Sequence, residues 1–282
     1  MGTALITLAI LALRPDWQPG ACEHAYADGP VGESARAACE ERRDEGSAFA
    51  TEIAGYLDEE IRRQGLEGVW KWVIAVISKE SAFERGDLCP AKVALDRVVS
   101  RELLDEESGK TRLCWRYRVA SDDRPNGGIN CQPVFVEDEY TAPDGTEYLI
   151  VDRCAAGEVG LFQLVGGEVG AGVEVPATGA TLPRNRLERR RMALDPRTNV
   201  SLGVAALRAH RDRCCGDDQE CLSDPTRWIG SYNTGSCVGQ SGRGYARRVG
   251  ALVEDIDQFL EGIETTEQGD TDQVDTEQGT DH

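Results

Sequence analysis

The chain has 282 residues, of which 40% are hydrophobic and 29% are charged, and its formal net charge at pH 7 is −19. This composition is typical of a soluble globular protein with enough residues for one large domain or two smaller ones. The acidic balance argues against a partner bound through nucleic-acid phosphates, and no apolar run reaches the ~18 residues of a membrane span, so we expect neither a nucleic-acid partner nor an integral membrane span.

Residues 1–32 begin with an apolar stretch at positions 4–13. Its length is that of a signal-peptide core, but no Lys or Arg precedes it and Arg14 follows it. A buried first helix or a misassigned start codon explains the same residues, and Cys22 after Pro-Gly-Ala is a weak match to a lipid-attachment site. We therefore interpret this region as either a signal or an N-terminal extension.

Helical periodicity dominates the chain from residue 33 to residue 83. Segment 33–64 has apolar residues every three or four positions, which predicts one or two amphipathic helices ending near Gly65. Segment 66–83 follows the i, i+3, i+4, i+7, i+8 pattern of a single apolar stripe. The stripe consists of Val69, Trp72, Val73, Val76 and Ile77.

The pattern changes between Cys89 and Cys154. Alternating segments at 114–119, 134–136 and 147–151 predict strands in a β-rich insertion. We expect the cysteines of this insertion to stabilise it through disulfides. Helices are predicted again later in the chain, where two Asp-Pro pairs mark helix starts. These helices are 196–213, 225–233 and 244–262, and they precede an acidic tail, 265–282, that is too polar to fold.

Ten cysteines in this chain predict several disulfides and therefore an exported protein, either periplasmic or secreted. The alternative is a zinc site built from Cys214, Cys215, Cys221 and Cys237. No Cys-x-x-Cys pair is present, and adjacent cysteines rarely bind one ion together, so disulfides are the preferred interpretation.

Glu80 continues the apolar stripe of the 66–83 helix, three residues after Ile77 and four after Val76. A carboxyl among apolar neighbours is partly desolvated, which raises its pKa, and a protonated acid at neutral pH can protonate a glycosidic oxygen. The alternative is that the helix frays near Lys79 and Glu80 points to water.

Four short blocks follow one another in a characteristic order. They are Glu80-Ser81-Ala82-Phe83, Gly-Glu-Val-Gly-Leu-Phe-Gln at 157–163, Asp-Pro-Arg-Thr-Asn-Val-Ser-Leu-Gly at 195–203, and Tyr232-Asn233-Thr234-Gly235. In this order they resemble the motifs of the SLT-type lytic transglycosylases, lysozyme-like enzymes of the bacterial cell wall related in fold to goose-type lysozymes. The closing Tyr-Ala-Arg-Arg-Val at 245–249 is also similar to the family's final helix.

The resemblance covers roughly residues 66–255 without the insertion. It implies a mainly α fold of the α+β kind, in which a lysozyme-like helical domain over 33–264 carries a disulfide-rich, β-containing insertion at 89–154. It also implies an enzyme that cleaves the bond between N-acetylmuramic acid and N-acetylglucosamine in peptidoglycan and forms a 1,6-anhydro ring. The source would be a bacterium or a phage, with cell-envelope machinery as a further partner.

The resemblance also implies roles for individual residues. Glu80 would be the single catalytic acid and base, and Ser81 would orient it or touch the sugar. Gln163 would line the cleft beside Phe162, which replaces the family's usual methionine. Tyr232 would lie near the acid and Asn233 would help to build the site. No metal or cofactor is implied.

Two departures from the family leave alternatives open. Some eighty residues separate Glu80 from the 157–163 block, and Cys154 stands where many members carry a substrate-contacting serine. Under the resemblance, a Cys89–Cys154 disulfide would close the insertion at its root. Four acids could supply the second carboxylate of a hydrolytic muramidase: Glu84, Asp87, Glu158 and Glu168. A non-catalytic wall-binding module is the remaining alternative.

Overall fold

A computed structural model describes residues 2–22, 30–83, 90–105, 110–116, 128–142, 145–152, 159–164, 166–237 and 239–274. The chain divides into two compact units. Unit 1 contains residues 1–82 and 204–282, and unit 2 contains residues 83–203. The predicted insertion, 89–154, belongs to unit 2 together with the segment that follows it up to residue 203.

The structure is mostly helical, with small antiparallel sheets. In chain order the described α-helices are α1 (Thr3–Leu13), α2 (Pro30–Gln64), α3 (Trp70–Ser81), α4 (Arg186–Leu194), α5 (Pro196–Cys215), α6 (Gln219–Ser223), α7 (Gly230–Thr234) and α8 (Gln240–Val274). The described strands are β1 (Pro90–Ala94), β2 (Val98–Asp105), β3 (Lys110–Arg116), β4 (Ile129–Thr141) and β5 (Glu147–Asp152). A mainly α, α+β composition is confirmed.

Unit 1 is a helical assembly in which α1 packs on α2, α3 and α8, and α3 packs on α8. Each helix contributes an apolar stripe of fully buried side chains, and burying such stripes together is the main stabilising contribution to a helical core. These stripes include Ile6 and Ile10 of α1, Ile53 and Leu57 of α2, Val73 and Ile77 of α3, and Val249 and Ile256 of α8.

The N-terminal apolar stretch is the buried first helix of unit 1. Ile6, Ala9 and Ile10 of α1 have no exposed surface. Cys22, after this helix, forms a disulfide with Cys39 of α2. In this structure the apolar stretch therefore contributes to the core of unit 1, and Cys22 is paired. The described part of the chain includes no helix with the combined length and apolar character that crossing a membrane requires.

The helical prediction for 33–64 agrees with the structure, whereas two later predictions differ from it. Segment 33–64 forms one helix, α2, which ends at Gln64. The helix predicted over 225–233 is instead a short 3-10 turn, Pro225–Arg227, followed by α7. Trp228 and Ile229 lie between them and are buried, so the chain departs from helical geometry where it packs these two side chains.

The acidic tail is the second difference, because α8 continues to Val274 and the segment predicted to be unfolded from residue 265 begins as helix. Once a helix has been nucleated and packed, each further residue adds one backbone hydrogen bond at little cost. Polar residues that could not start a helix can therefore prolong one.

Unit 2 contains a five-stranded antiparallel sheet with the strand order β1-β5-β4-β3-β2. The described parts of the three predicted strand segments lie in β3, β4 and β5, and residues 117–119 of the first segment lie outside the described residues. Strands β1 and β2 were not predicted because neither alternates clearly along its length. The sheet buries its own apolar cluster. This cluster consists of Val93, Leu113, Trp115, Val134, Leu149 and Val151.

Four disulfides are described, which confirms a disulfide-rich protein. They are Cys22–Cys39, Cys114–Cys131, Cys214–Cys237 and Cys215–Cys221. Cys114 and Cys131 are register partners on β3 and β4, so one disulfide lies within the sheet as predicted. The zinc alternative is wrong, since its four cysteines form the last two disulfides. Cys89 and Cys154 lie outside the described residues.

Candidate active site

Glu80 occupies the last turn of α3, and its position follows from the helix above it. Val76 and Ile77, one turn earlier, are fully buried, whereas Glu80 is half-buried. The helix ends at Ser81 because Ala82 adopts left-handed backbone angles, and its N–H bonds the carbonyl of Ser78. Glu80 therefore lies where the apolar stripe reaches the end of the helix, as its spacing predicts.

Tyr245 of α8 donates a hydrogen bond to Glu80. The hydroxyl lies 2.6 Å from Oε1 of the carboxyl, and the two residues are 165 positions apart in the chain. Tyr245 is almost fully buried. Burial, together with the nearby charge of Glu80, raises the pKa of the phenol well above its usual range, so this hydroxyl keeps its proton and remains a donor.

Tyr232 lies near this pair on α7. Its electrostatic influence contributes to the raised pKa of Tyr245. The half-buried Tyr232 ring packs edge-on against the ring of His210, with 5.6 Å between centroids. His210 in turn has its Nδ1 3.1 Å from the hydroxyl of Ser231 and 2.8 Å from Nη2 of Arg213. A polar cluster, in which His210 and Ser231 are buried and Arg213 is exposed, thus holds α7 and the ring of Tyr232.

A close backbone approach between α7 and α8 depends on Gly230. A Cβ at this position would lie 2.3 Å from the carbonyl oxygen of Gly242, which is far inside van der Waals contact. Only glycine permits this approach without a shift of the backbone. The approach brings the helix that carries Tyr232 onto the helix that carries Tyr245.

The structure places two further predicted site residues, Ser81 and Asn233, in environments unlike that of Glu80. Ser81 is buried, and its hydroxyl donates to the backbone carbonyl of Ile77 at 3.2 Å. The hydroxyl is thus committed to the end of α3, which suits an orienting role better than a sugar contact. Asn233 is exposed on α7.

Gln163 and Phe162 belong to unit 2, in a tight turn closed by hydrogen bonds between Val159 and Leu164. Gln163 has a left-handed backbone, and its side-chain amide donates to the carbonyl of Gly160 at 2.6 Å. Phe162 has no exposed surface. The Phe162 ring is thus packed inside unit 2, and its role beside the substrate stays a prediction.

The side chain of Asn199 holds this turn in place through hydrogen bonds. The sequence analysis did not predict this role. Its fully buried side chain donates to the carbonyls of Val159 and Ala193, both at 2.9 Å, and accepts from the N–H of Phe162 at 3.0 Å. Gly160, with a φ of +66°, leaves room for it, since a Cβ there would lie 2.4 Å from Nδ2 of Asn199. Asn199, in the 195–203 block, thus fixes the position of Val159 and Phe162, in the 157–163 block, within unit 2.

One of the four candidates for a second carboxylate, Glu168, lies among the described residues. Glu84, Asp87 and Glu158 lie outside the described residues. Glu168 belongs to unit 2, in the 3-10 helix Gly166–Val169. No group of three or more metal-ligating side chains is found in the part of the chain that the structure describes.

Tyr245 is the functional candidate that the sequence reasoning did not assign. The available signal was its position at the start of the 245–249 block, which marked only a final helix. Comparison with known proteins identifies no matching family model, no matching curated protein and no matching solved structure.

Proposed function

We propose that the protein is a lytic transglycosylase that cleaves peptidoglycan between N-acetylmuramic acid and N-acetylglucosamine. The observation that carries the proposal is the hydrogen bond from the buried Tyr245 hydroxyl to Oε1 of Glu80. It fixes one oxygen of a half-buried carboxyl at the end of an apolar helix stripe. Such a carboxyl is suited to general acid catalysis, because its orientation is set before substrate arrives.

In the proposed first step, protonated Glu80 donates a proton from Oε2 to the bridging oxygen. The bond from that oxygen to C1 of the muramoyl sugar breaks, and the N-acetylglucosamine product leaves with a free 4-hydroxyl. Tyr245 continues to donate to Oε1, where it stabilises the carboxylate that remains. The muramoyl C1 carries the positive, oxocarbenium-like charge.

In the second step, the same carboxylate accepts the proton of the muramoyl 6-hydroxyl. The oxygen of that hydroxyl forms a bond to C1, which closes the 1,6-anhydro ring and restores protonated Glu80. No water is consumed, so one carboxyl is sufficient and the reaction needs no metal. Tyr245 supports both steps, since burial keeps its hydroxyl protonated.

Mass spectrometry of the soluble products tests the proposal. Purified peptidoglycan incubated with the protein should release muropeptides that end in 1,6-anhydro-N-acetylmuramic acid and are lighter by one water than hydrolysis products. The same digestion in water labelled with oxygen-18 should leave the products unlabelled. Labelled reducing ends would show the hydrolytic muramidase instead, and a second carboxylate would then be required.

A non-catalytic wall-binding module predicts a different result. The protein would sediment with peptidoglycan but release no soluble fragment, and Glu80→Gln would leave sedimentation unchanged. The Glu80–Tyr245 pair favours the enzyme, because a binding module has no need of a buried hydroxyl aimed at a half-buried carboxyl.

A further inference from the structure

A groove on unit 1 is distinct from the Glu80–Tyr245 pair. We call it the Trp72 groove, and it has a volume of about 900 Å³. Its walls come from α3, from the 3-10 turn before α7 and from the first four turns of α8. Its lining includes Trp72, Thr226, Gln240, Arg243, Arg247 and Glu254.

Helical spacing separates this groove from the candidate acid. Arg243 and Arg247 stand two residues before and two residues after Tyr245, so they leave α8 on the side opposite to it. Trp72 stands eight residues before Glu80 on α3, which is a rise of ~12 Å along the axis. A peptide of about four extended residues covers that distance.

Two cations without an acidic partner line the groove. Arg243 and Arg247 are exposed and lie one helical turn apart, and within the described residues neither forms an ion pair or a side-chain hydrogen bond. The first turn of α8 also contains no acidic residue, which leaves the positive end of the helix dipole uncompensated. In a chain with a net charge of −19, this is a local site of positive potential.

The remaining lining suits a ligand that also has apolar and hydrogen-bonding groups. Trp72 is half-exposed, and its ring lies along α8 beside Gly250, where a Cβ would be 3.4 Å from the indole. Gln240 and Thr226 are exposed and offer polar side chains at the rim. Glu254 lies two turns beyond Arg247, and its negative charge repels an anion. An anionic ligand should therefore occupy the part of the groove near the N-terminus of α8.

We propose that the Trp72 groove binds the carboxylate-bearing peptide that is attached to the muramoyl sugar of the substrate. This inference rests on the proposed function and names a second contact for the same substrate. Arginine pairs with carboxylates through two parallel hydrogen bonds, and two arginines one turn apart can hold successive carboxylates of a peptide. The peptide would extend from the sugar held at Glu80 along α3 towards Trp72.

A binding experiment in the Glu80→Gln background tests the inference without cleavage. The probes are a disaccharide–tetrapeptide, the same disaccharide without peptide, and the disaccharide–tetrapeptide with its carboxylates amidated. Isothermal titration should show that only the probe whose peptide has free carboxylates gains affinity from Arg243 and Arg247. Adding Arg243→Gln and Arg247→Gln should weaken that probe about tenfold and leave the other two unchanged.

The matched control replaces two exposed arginines of unit 1 outside the groove, Arg42 and Arg208, with glutamine. It changes the net charge equally and should leave all three affinities unchanged. The inference is wrong if the amidated probe binds as well as the free carboxylates, if inorganic phosphate competes at the same concentration, or if both double variants lose affinity equally. A wild type that yields no anhydro products but keeps the carboxylate-dependent gain would refute the proposed function alone.

Discussion

The hydroxyl of Tyr245 lies 2.6 Å from Oε1 of Glu80 and donates to it across 165 residues of sequence. The contact joins the end of α3 to the second turn of α8, two helices that pack on each other in the core of unit 1. A half-buried carboxyl and a buried phenol thus form one hydrogen-bonded pair at the end of an apolar helix stripe, and this pair is the centre of the proposed chemistry.

Replacing Glu80 with glutamine should abolish cleavage while leaving the fold intact. Glutamine has nearly the same shape and still accepts from Tyr245, but it can neither donate the acid proton nor accept it back. We expect the rate of muropeptide release to fall by about 10³-fold or more, with an unchanged circular dichroism spectrum. The control is Glu52→Gln, since Glu52 accepts a hydrogen bond from Tyr56 on the exposed side of α2. Retained activity in Glu80→Gln would refute the assignment of the acid.

Tyr245→Phe should slow cleavage because it removes the donor that orients Glu80. The free energy of unfolding should fall by about 1–2 kcal/mol, since the carboxyl loses a charge-assisted hydrogen bond. A positioning role also predicts that the pH dependence of cleavage shifts, because the hydrogen bond stabilises the ionised form of the acid. Tyr56→Phe removes a similar bond of 3.1 Å at the surface and should change neither activity nor its pH profile.

The free energy of unfolding should decrease at alkaline pH because the Tyr245 phenol is buried. Because burial raises the pKa of Tyr245 above the ordinary value of 10.0, the phenol ionises only after unfolding, and the folded state loses stability as the pH rises above about 10. The expected loss is about 1.4 kcal/mol per pH unit above that value. Urea unfolding at pH 8 and pH 11 should therefore show a smaller decrease for Tyr245→Phe than for the wild type. Equal decreases in both proteins would contradict the raised pKa.

Gly160→Ala should destabilise unit 2 more than Gly172→Ala does. Both glycines have positive φ angles, of +66° and +80°, so alanine is strained at each. Only at Gly160 would the added Cβ meet Asn199, whereas nothing lies within 4 Å at Gly172. We expect about 1 kcal/mol for Gly172→Ala and at least about 2 kcal/mol more for Gly160→Ala, from chemical denaturation. A similar decrease in the free energy of unfolding at both sites would mean that Asn199 moves away without losing its hydrogen bonds.

Arg14→Gln should loosen the end of α3. The Arg14 guanidinium donates to the carbonyl of Ala82, two residues after Glu80, and lies 3.9 Å above the ring of Trp17. Losing these contacts should accelerate hydrogen exchange at residues 79–83 and reduce cleavage severalfold, with a stability loss of about 1–2 kcal/mol. Arg43→Gln is the control, because Arg43 pairs with its neighbour Asp44 on α2. Unchanged exchange at the end of α3 would show that Arg14 does not hold this turn.

The sequence by itself determined the elements with strong local signals. The apolar period of 66–83 placed Glu80 at the end of a buried stripe, and the Asp195-Pro196 pair marked the start of α5, where Asp195 accepts from the N–H of Thr198 at 2.9 Å. The cysteine content indicated disulfides. These features depend on residues close together in the chain, so their spacing alone carries the information.

Only the tertiary structure decided which distant residues meet. Tyr245 could be read as one member of a helix stripe, and only the packing of α3 on α8 aims its hydroxyl at Glu80. Asn199 stood within a motif block with no contact assigned to it, yet its side chain bonds two backbone groups of a turn almost forty residues earlier in the chain and one of nearby Ala193. Residues 4–13 have the composition of a signal peptide, and their burial in a core follows from the surfaces of α2, α3 and α8. Contacts of this kind are set by the three-dimensional complementarity of whole elements, which no local pattern in the sequence specifies.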